Sequence, residues 1–341
     1  MSAAFRMPAE WEKHEGTWFS WPYNEEETWA GHLEGAEKAF TEIIEALTSH
    51  ERVHVLVPNE SVKKRALATI EQSKATIGNL DFHTIETGDI WIRDFGPIFV
   101  VKDSPTHEVA WTKWTYNALG NKFEALLIGN DAPDKMPIGH LPRFEGGMVL
   151  EGGSIDVNGT GTLLTTESVL LNPSRNPELS KQQIEDKLKA SLGITNILWL
   201  SAGIAGDDTD GHIDDVTRFV NRNTVVTVIE EDPTDANYEV LQENLKRLET
   251  MKIETGEPLK ILTLPMPKAF IVEGRRMAAS YANFLIANNI VLVPVYAQTS
   301  DKIALETLQQ CFPDRKVIGI DCRELIWGCG SIHCASQQQP A

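Results

Sequence analysis

The chain has 341 residues, 42% hydrophobic and 23% charged, as is typical of a soluble globular protein with room for one large domain or two ordinary ones. Its 49 acidic residues outnumber 31 basic ones, and the net charge of −18 argues against a nucleic-acid partner. No apolar run has the length of a membrane helix, and residues 1–10 lack an export signal, so we expect a cytoplasmic protein without a membrane partner.

The N-terminal part predicts strands and helices in alternation. Apolar segments at 17–20 and 53–57 are typical of strands, and 98–101 with 109–114 predicts a hairpin. The segment 130–142 contains three prolines and predicts a long loop that could cover a site. Between the first two strands, apolar residues recur on one face of a predicted helix: Leu33, Phe40, Ile43 and Leu47.

The C-terminal part repeats one pattern, in which two strands joined by a tight turn are followed by a helix and another strand. In the first copy the hairpin lies within 155–164. Its helix is predicted from Ser180 to Leu192, because Ser180 and Gln183 form a capping-box pattern and Gly193 is a typical helix end. The strand that closes this copy lies at 197–200.

Two further copies follow. The second has strands within 219–226 and 261–264, and the third has strands within 284–291 and 317–320, with a helix beginning near Ser300. The helix of the second copy is predicted from residues at helical spacing: Tyr238, Leu241, Leu245 and Leu248. The tight turns contain asparagines that recur at nearly equal intervals: Asn158, Asn221 and Asn288.

Units of about 65 residues divide the chain into about five, although the N-terminal part fits the pattern less clearly. A helix in each unit argues against an all-strand propeller of the WD40 type. Strand-rich units with outer helices predict an α/β fold, closed into a ring with pseudo-fivefold symmetry. Because no linker or low-complexity segment interrupts residues 1–341, we expect a single domain.

Chemically capable residues collect just before successive hairpins. Asp94, Glu151 and His212 follow one another at nearly equal intervals, which match the length of the repeat. In a ring, equivalent positions of each unit face the axis at the same end, and the clusters would converge on one pocket. The clusters occupy residues 89–97, 151–154, 207–215 and 328–334.

Each cluster also has a structural interpretation. Asp94 could form an ion pair with Arg93, Glu151 could belong to a simple glycine turn, and His212 could be a core histidine. The acidic segment 207–215 could be a calcium loop, but it lacks the glutamate that ends an EF-hand loop. The functional interpretation gains weight because all the clusters occur together at the spacing of the repeat.

The four cysteines all lie from Cys311 onward, and a reducing compartment disfavours disulfides between them. Cys334 follows a glycine-rich turn, where a deprotonated thiol could act as a nucleophile, although free cysteines are often simply buried. Zinc binding by Cys329, His333 and Cys334 is a less favoured alternative, because their spacing matches no standard zinc finger.

The combination of motifs resembles the agmatine deiminases, a family within the guanidine-modifying superfamily that has the pentein fold. Bacterial peptidyl-arginine deiminases are closely similar. The resemblance implies a five-bladed ββαβ α/β propeller and a site without metal or organic cofactor. The motifs, in the family's order, occupy residues 7–10, 91–97, 151–156, 211–214 and 332–334, followed by Gln337, Gln338 and Pro340.

The resemblance also implies catalytic roles for five residues. Those matching Asp94 and Asp214 grip the planar guanidinium, which carboxylates can bind in bidentate fashion. The residue matching Cys334 attacks the central carbon. The residue matching His212 protonates the departing ammonia and then activates water, while that matching Glu151 binds a substrate nitrogen and helps to hold the histidine.

Two more positions match residues that contact substrate in the family, Trp91 and Asp208. Agmatine carries a second cation, its primary ammonium, and Asp208 could accept it. The chain departs from the family where Leu119 replaces a pocket tryptophan, which weakens the prediction of strict agmatine specificity. It also has Cys329 and Ser331 where glycine and asparagine are usual.

We therefore predict a hydrolase that converts agmatine to N-carbamoylputrescine and ammonia in putrescine biosynthesis, through a covalent S-alkylthiouronium on Cys334. One alternative is deimination of arginine in peptides. Another is a non-catalytic propeller that binds cations in an acidic pocket. The expected partner is a small cationic guanidine, and homo-oligomerisation is an expectation from the family.

Overall fold

The computed structural model describes residues 5–26, 28–74, 77–103 and 107–341 and has a mixed α/β fold. The strands are β1 (His14–Ser20), β2 (Arg52–Val57), β3 (Leu80–Thr84), β4 (Ile98–Lys102), β5 (Glu108–Thr115), β6 (Arg143–Val149), β7 (Asp156–Val157), β8 (Thr162–Thr166), β9 (Asn196–Leu200), β10 (Thr217–Asn221), β11 (Thr224–Ile229), β12 (Lys260–Pro265), β13 (Phe270–Val272), β14 (Arg275–Met277), β15 (Leu285–Ala287), β16 (Ile290–Val295), β17 (Lys316–Asp321) and β18 (Ser336–Pro340).

The longer helices are α1 (Leu33–Thr48), α2 (Glu60–Ser73), α3 (Lys181–Leu192), α4 (Tyr238–Thr250) and α5 (Thr299–Cys311). Shorter helical turns lie at Ile92–Phe95, Ala118–Asn121, Glu124–Asp131, Ala132–Lys135, Gly152–Ser154, Glu167–Leu170, Ile213–Asp215 and Leu325–Gly328. In the described part of the chain, no helix is both long enough and apolar enough to cross a lipid bilayer.

The predicted repeat is confirmed in the three C-terminal copies. In each, an antiparallel hairpin is followed by a helix, and the next strand lies parallel to the second strand of the hairpin. The resulting sheets are β7–β8–β9, β10–β11–β12 and β15–β16–β17, and the sheet β4–β5–β6 has the same strand order and directions.

The N-terminal sheet completes this pattern with a strand from the other end of the chain. Strand β18 pairs antiparallel with β1, placing Gln337 opposite Trp18, and β1 pairs in parallel with β2. The outer strand of this unit therefore comes from the C-terminus, whereas its other strands come from the N-terminus. For this reason the N-terminal sequence, taken alone, shows the repeat less clearly.

The helices form where the sequence predicts them, and each buries one face. The predicted apolar face of α1 is buried throughout, whereas in α4 Leu241 and Leu248 are buried and Tyr238 is half-buried. Helix α3 begins with the Ser180 capping box and ends at Gly193, whose φ of 67° lies in the left-handed region that suits glycine.

The prediction of a long loop at 130–142 is correct only in part. The segment includes the helical turn Ala132–Lys135, and Met136 and Ile138 are buried in a hydrophobic cluster, so it is anchored to the core by its apolar side chains. Sequence analysis also did not predict the small hairpin β13–β14, whose turn contains Glu273 and Gly274 with positive φ.

Replacing Gly193 by alanine should destabilise the fold more than the same change at Gly256. Both glycines have a left-handed backbone, which costs an L-residue about 1–2 kcal/mol. An added Cβ at Gly193 would also lie 2.5 Å from the carbonyl oxygen of Phe5, whereas nothing lies within 4 Å at Gly256. Free energies of unfolding from urea titrations measure both losses, and equal losses would contradict the close packing at the end of α3.

Candidate active site

A cavity of about 350 Å³ brings together residues from several of the predicted clusters. Among the predicted site residues, Trp91, Asp94, Asp208 and Cys334 line it. Residues 123–126 also line it, and they lie upstream of the segment 130–142 that the sequence had suggested as a cover. The convergence of clusters on one pocket, expected from the repeat, is therefore seen for these four residues.

The other predicted catalytic residues lie directly behind the pocket wall. Glu151, His212 and Asp214 are each 0% exposed. His212 lies beside Asp94 and Asp214 beside Cys334, and Glu151 lies beside His212. A cluster of ionisable side chains this deeply buried is energetically expensive unless its charges are paired. Such clusters are therefore more typical of functional sites than of structural cores.

The repeat explains how these residues meet. Each lies in a tight turn just ahead of the strand that opens a unit: Asp94 before β4, Glu151 before β7, Asp214 before β10 and Cys334 before β18. Because the units share one strand arrangement, equivalent turns of different units occupy the same end of their sheets. The polar side chains consequently converge although the turns are far apart in sequence.

The histidine is surrounded by carboxylates. Nδ1 of His212 is 3.5 Å from Oδ1 of Asp94, and its Nε2 is 3.9 Å from Oε2 of Glu151, whose other oxygen accepts a hydrogen bond from Nε of Arg175 at 2.8 Å. Burial disfavours protonation, but Asp94 and Glu151 outweigh it and raise the pKa of His212 to about 10. Gly153 permits this packing, because a Cβ there would lie 2.5 Å from Nδ1 of His212.

Burial has the largest effect on the pKa of Asp94. It raises the pKa of Asp94 to about 7, against a smaller lowering by His212. Burial also acts to raise the pKa of Glu151, but His212 and Arg175 together hold it below its usual value. At neutral pH these shifts favour a protonated His212 beside an ionised Glu151 and leave Asp94 only partly ionised, so the site lacks positive charge around its carboxylates.

The thiol of Cys334 lies among negative charges. It is 3.6 Å from Oδ2 of Asp214, and Nδ2 of Asn283 donates a hydrogen bond to its sulfur at 3.0 Å. Burial, followed by the charges of Asp214 and Asp215, raises the pKa of Cys334 well above its ordinary value. These surroundings keep the thiol protonated, and a positive charge placed beside it would favour the thiolate.

Sequence reasoning missed the partners that hold Asp214 in place. Nδ1 of His333 is 2.7 Å from Oδ2 of Asp214, and its Nε2 is 2.9 Å from Oε2 of Glu10, which is ion-paired with Arg218. Glu10 and His333 lie within the motifs at residues 7–10 and 332–334, and their place in these motifs was the signal that the sequence offered. Their pairing between opposite ends of the chain has no local sequence pattern.

The contacts differ from two structural interpretations of the sequence, an ion pair between Arg93 and Asp94 and a zinc site that includes His333. Arg93 donates to Oε1 of Gln338 at 2.7 Å and to the carbonyl oxygen of His333 at 3.3 Å, so its partner is not Asp94. In the described residues, the side chains close enough to hold a metal ion together are Asp214, Asp215 and Cys334. This group differs from the zinc set weighed in the sequence, in which His333 would have been a ligand.

The acidic loop 207–215 is organised by its own hydrogen bonds. Asp207 accepts the backbone N–H groups of Gly211 at 3.0 Å and His212 at 3.1 Å, which fixes the backbone that carries the histidine. Asp208 points to the pocket, where its carboxylate is ion-paired with Arg275 of β14. The predicted acceptor for a second substrate cation therefore already has a cationic partner.

Trp91 and Leu119 form apolar parts of the pocket wall. The ring of Trp91 lies against the turn before Cys334, where a Cβ on Gly330 would be 2.5 Å away. Leu119 is buried, with a φ of 58°, at the position where the family often has tryptophan. Cys329 also lines the cavity, and burial together with Asp208 raises its pKa to about 12.

Changing Asp214 to asparagine should lower the pKa of Cys334 by about 1–3 pH units, because a negative charge beside the sulfur disappears. The measurement is the pH dependence of iodoacetamide alkylation, followed by mass spectrometry of the Cys334 peptide. Cys311 serves as an internal control, since burial raises its pKa to about 11 without a neighbouring carboxylate. An unchanged profile at Cys334 would refute this electrostatic account.

Comparison with known proteins identifies the family. A family model described as Porphyromonas-type peptidyl-arginine deiminase matches residues 6–340. The structure is similar to the agmatine deiminase of Enterococcus faecalis, at 34% identity over 100% of this chain and 98% of that one, with a TM-score of 0.91. It is also similar to a substrate-bound cysteine-to-serine variant of C. jejuni agmatine deiminase, at 34% identity over 99% and 97% of the two chains, with a TM-score of 0.89.

A more distant structure shares the fold alone. The N-terminal domain of a cyanobacterial arginine dihydrolase is 11% identical over 95% of this chain and 98% of that one, with a TM-score of 0.53. This likeness shows that the mixed α/β fold is common to the two proteins. The match of the family model over nearly the whole chain, together with these full-length relatives, shows that the chain belongs to the Porphyromonas-type peptidyl-arginine deiminase family.

Proposed function

We propose that this protein is an agmatine deiminase, which hydrolyses agmatine to N-carbamoylputrescine and ammonia. The observation that carries the proposal is the buried thiol of Cys334, which lines the pocket with Asp94 and lies beside Asp214, while Glu151 and His212 pack directly behind the wall. The pKa of His212 is raised to about 10, which favours its protonated form. Carboxylates without enough cationic partners suit a guanidinium, and the protonated histidine suits a leaving group that must depart as ammonia. The agmatine deiminases to which the chain is similar support the same choice.

Substrate binding supplies the charge that the empty pocket lacks. Asp94 and Asp214 bind the guanidinium through its N–H groups, while Glu151 binds a substrate nitrogen and restrains His212. Because Asp214 lies beside the sulfur, a guanidinium bound to it also lies beside Cys334. The cation lowers the pKa of the thiol, which loses its proton to solvent, and so the nucleophile forms only when substrate is present.

The reaction then proceeds in two halves. The thiolate of Cys334 attacks the guanidinium carbon, and His212 donates a proton to the amino group that leaves as ammonia, which produces a covalent S-alkylthiouronium. Neutral His212 next takes a proton from water, and the hydroxide attacks the same carbon. The C–S bond breaks, the proton of the added hydroxyl passes to the sulfur, and the ureido product departs.

The alternative substrate is arginine within a peptide, as the description of the family model suggests. Incubation of the protein with agmatine, free arginine and an arginyl peptide, followed by detection of ureido groups, separates the choices. We expect agmatine to be converted fastest. Faster conversion of the peptide would favour the peptidyl-arginine activity, and conversion of none would favour a non-catalytic cation-binding protein.

Several broader expectations remain proposals. The sheets with a shared strand order, and the pairing of β18 with β1, support a closed five-bladed ββαβ ring formed by one domain. Trp91 and Asp208 are proposed to contact substrate from the pocket wall. A role in putrescine biosynthesis, a cytoplasmic location and homo-oligomerisation also stay predictions.

Changing Cys334 to serine should reduce ureido formation by about 1,000-fold or more, because a serine hydroxyl stays protonated without a strong base. Substrate binding, measured by calorimetry, should persist. Cys329→Ser is the matched control, since this second thiol also lines the cavity but lacks the contact with Asp214. Near-native turnover by Cys334→Ser, or equal losses in both variants, would show that Cys334 is not the nucleophile.

A further inference from the structure

Asp89 is a buried carboxylate in the pocket wall that the proposed reaction does not use. It is 4% exposed and lines the same cavity as Asp94 and Cys334. One of its oxygens accepts the Thr28 hydroxyl at 2.7 Å, and the other accepts the backbone N–H of Ile90 at 2.8 Å. These neutral donors orient the carboxylate without neutralising its charge.

Asp89 differs in this respect from Asp208, the acceptor suggested by the sequence. The Asp208 side chain is 32% exposed and is ion-paired with Arg275. In the described residues, no lysine, arginine or histidine forms an ion pair with Asp89. An isolated buried carboxylate is costly, and one that lines a cavity is most simply completed by a cationic ligand.

The arrangement along the chain fits a ligand with two charged ends. Asp89 and Asp94 both line the cavity, and Trp91 lies between them in sequence and also lines it. A guanidinium at Asp94 and an ammonium at Asp89 would place the methylenes between them along an apolar ring. Burial raises the pKa of Asp89 to about 6, so the carboxylate is still mainly ionised at neutral pH.

We propose that Asp89 receives the terminal ammonium of the substrate and is the residue that selects an aminoalkyl guanidine, while Asp208 remains paired with Arg275. This inference rests on the proposed deiminase function. A buried carboxylate at this position attracts a primary ammonium and repels the carboxylate of free arginine. Thr28 acts as a positioning residue, because its hydroxyl fixes the orientation of the acceptor.

The test compares agmatine with butylguanidine, which lacks the ammonium, on the full-length wild type and the Asp89→Asn and Asp208→Asn variants. Asp89→Asn should lower kcat/KM for agmatine by about 10- to 150-fold, the loss expected when a charged hydrogen-bond partner is removed, and much less for butylguanidine. Asp208→Asn should affect the two substrates equally. Asp89→Glu, which keeps the charge, should restore part of the preference for agmatine.

Two results would overturn the proposal: equal losses for both substrates in Asp89→Asn, or a selective loss of agmatine in Asp208→Asn alone. Calorimetric titration of both guanidines into Cys334→Ser, with and without Asp89→Asn, reads the same preference without turnover. If the wild type converts neither guanidine, the proposed function fails. The binding preference then still decides the role of Asp89, and thermal unfolding shows whether each variant is folded.

Discussion

The burial of several carboxylates beside one thiol is the constraint on which the account of the site depends. Asp94, Glu151 and Asp214 are almost wholly removed from water, and each would be strongly destabilising without a positive neighbour. The protein supplies part of that charge through Arg175 and the protonated His212. The remaining negative potential keeps the thiol of Cys334 protonated and makes the pocket complementary to a cation. In the proposed reaction, substrate binding and activation of the thiol would therefore be one event.

The fold makes this concentration of charge possible by repetition. Turns ahead of equivalent strands bring side chains from distant segments to one pocket. The last strand β18 pairs with β1, so the turn holding Cys334 is anchored to the sheet that opens the chain. Glu10, Arg218 and His333 extend the charge pairing behind the pocket and help to hold Asp214 in place.

Much of this was predictable where the signal is local or repeated. Short patterns predict the beginning of α3 at Ser180, its end at Gly193 and the hairpins of three units. The repeat spacing also predicted that the clusters meet at one pocket, which Asp94, Asp208 and Cys334 line. Pairings between distant side chains, such as Asp208 with Arg275, leave no such pattern. Proline content suggested a loop in the segment 130–142, but buried Met136 and Ile138 anchor that segment, because packing outweighed local composition.

The central claim is that Cys334 attacks the guanidinium carbon and carries the substrate covalently. The most direct measurement is acid quenching of the protein during turnover of agmatine, followed by intact-mass and peptide mass spectrometry. The account predicts an adduct with the mass of agmatine minus ammonia, located on Cys334 and absent from the other cysteines. Ureido product that forms at full rate while Cys334 stays unmodified, or an adduct on Cys329 instead, would contradict it.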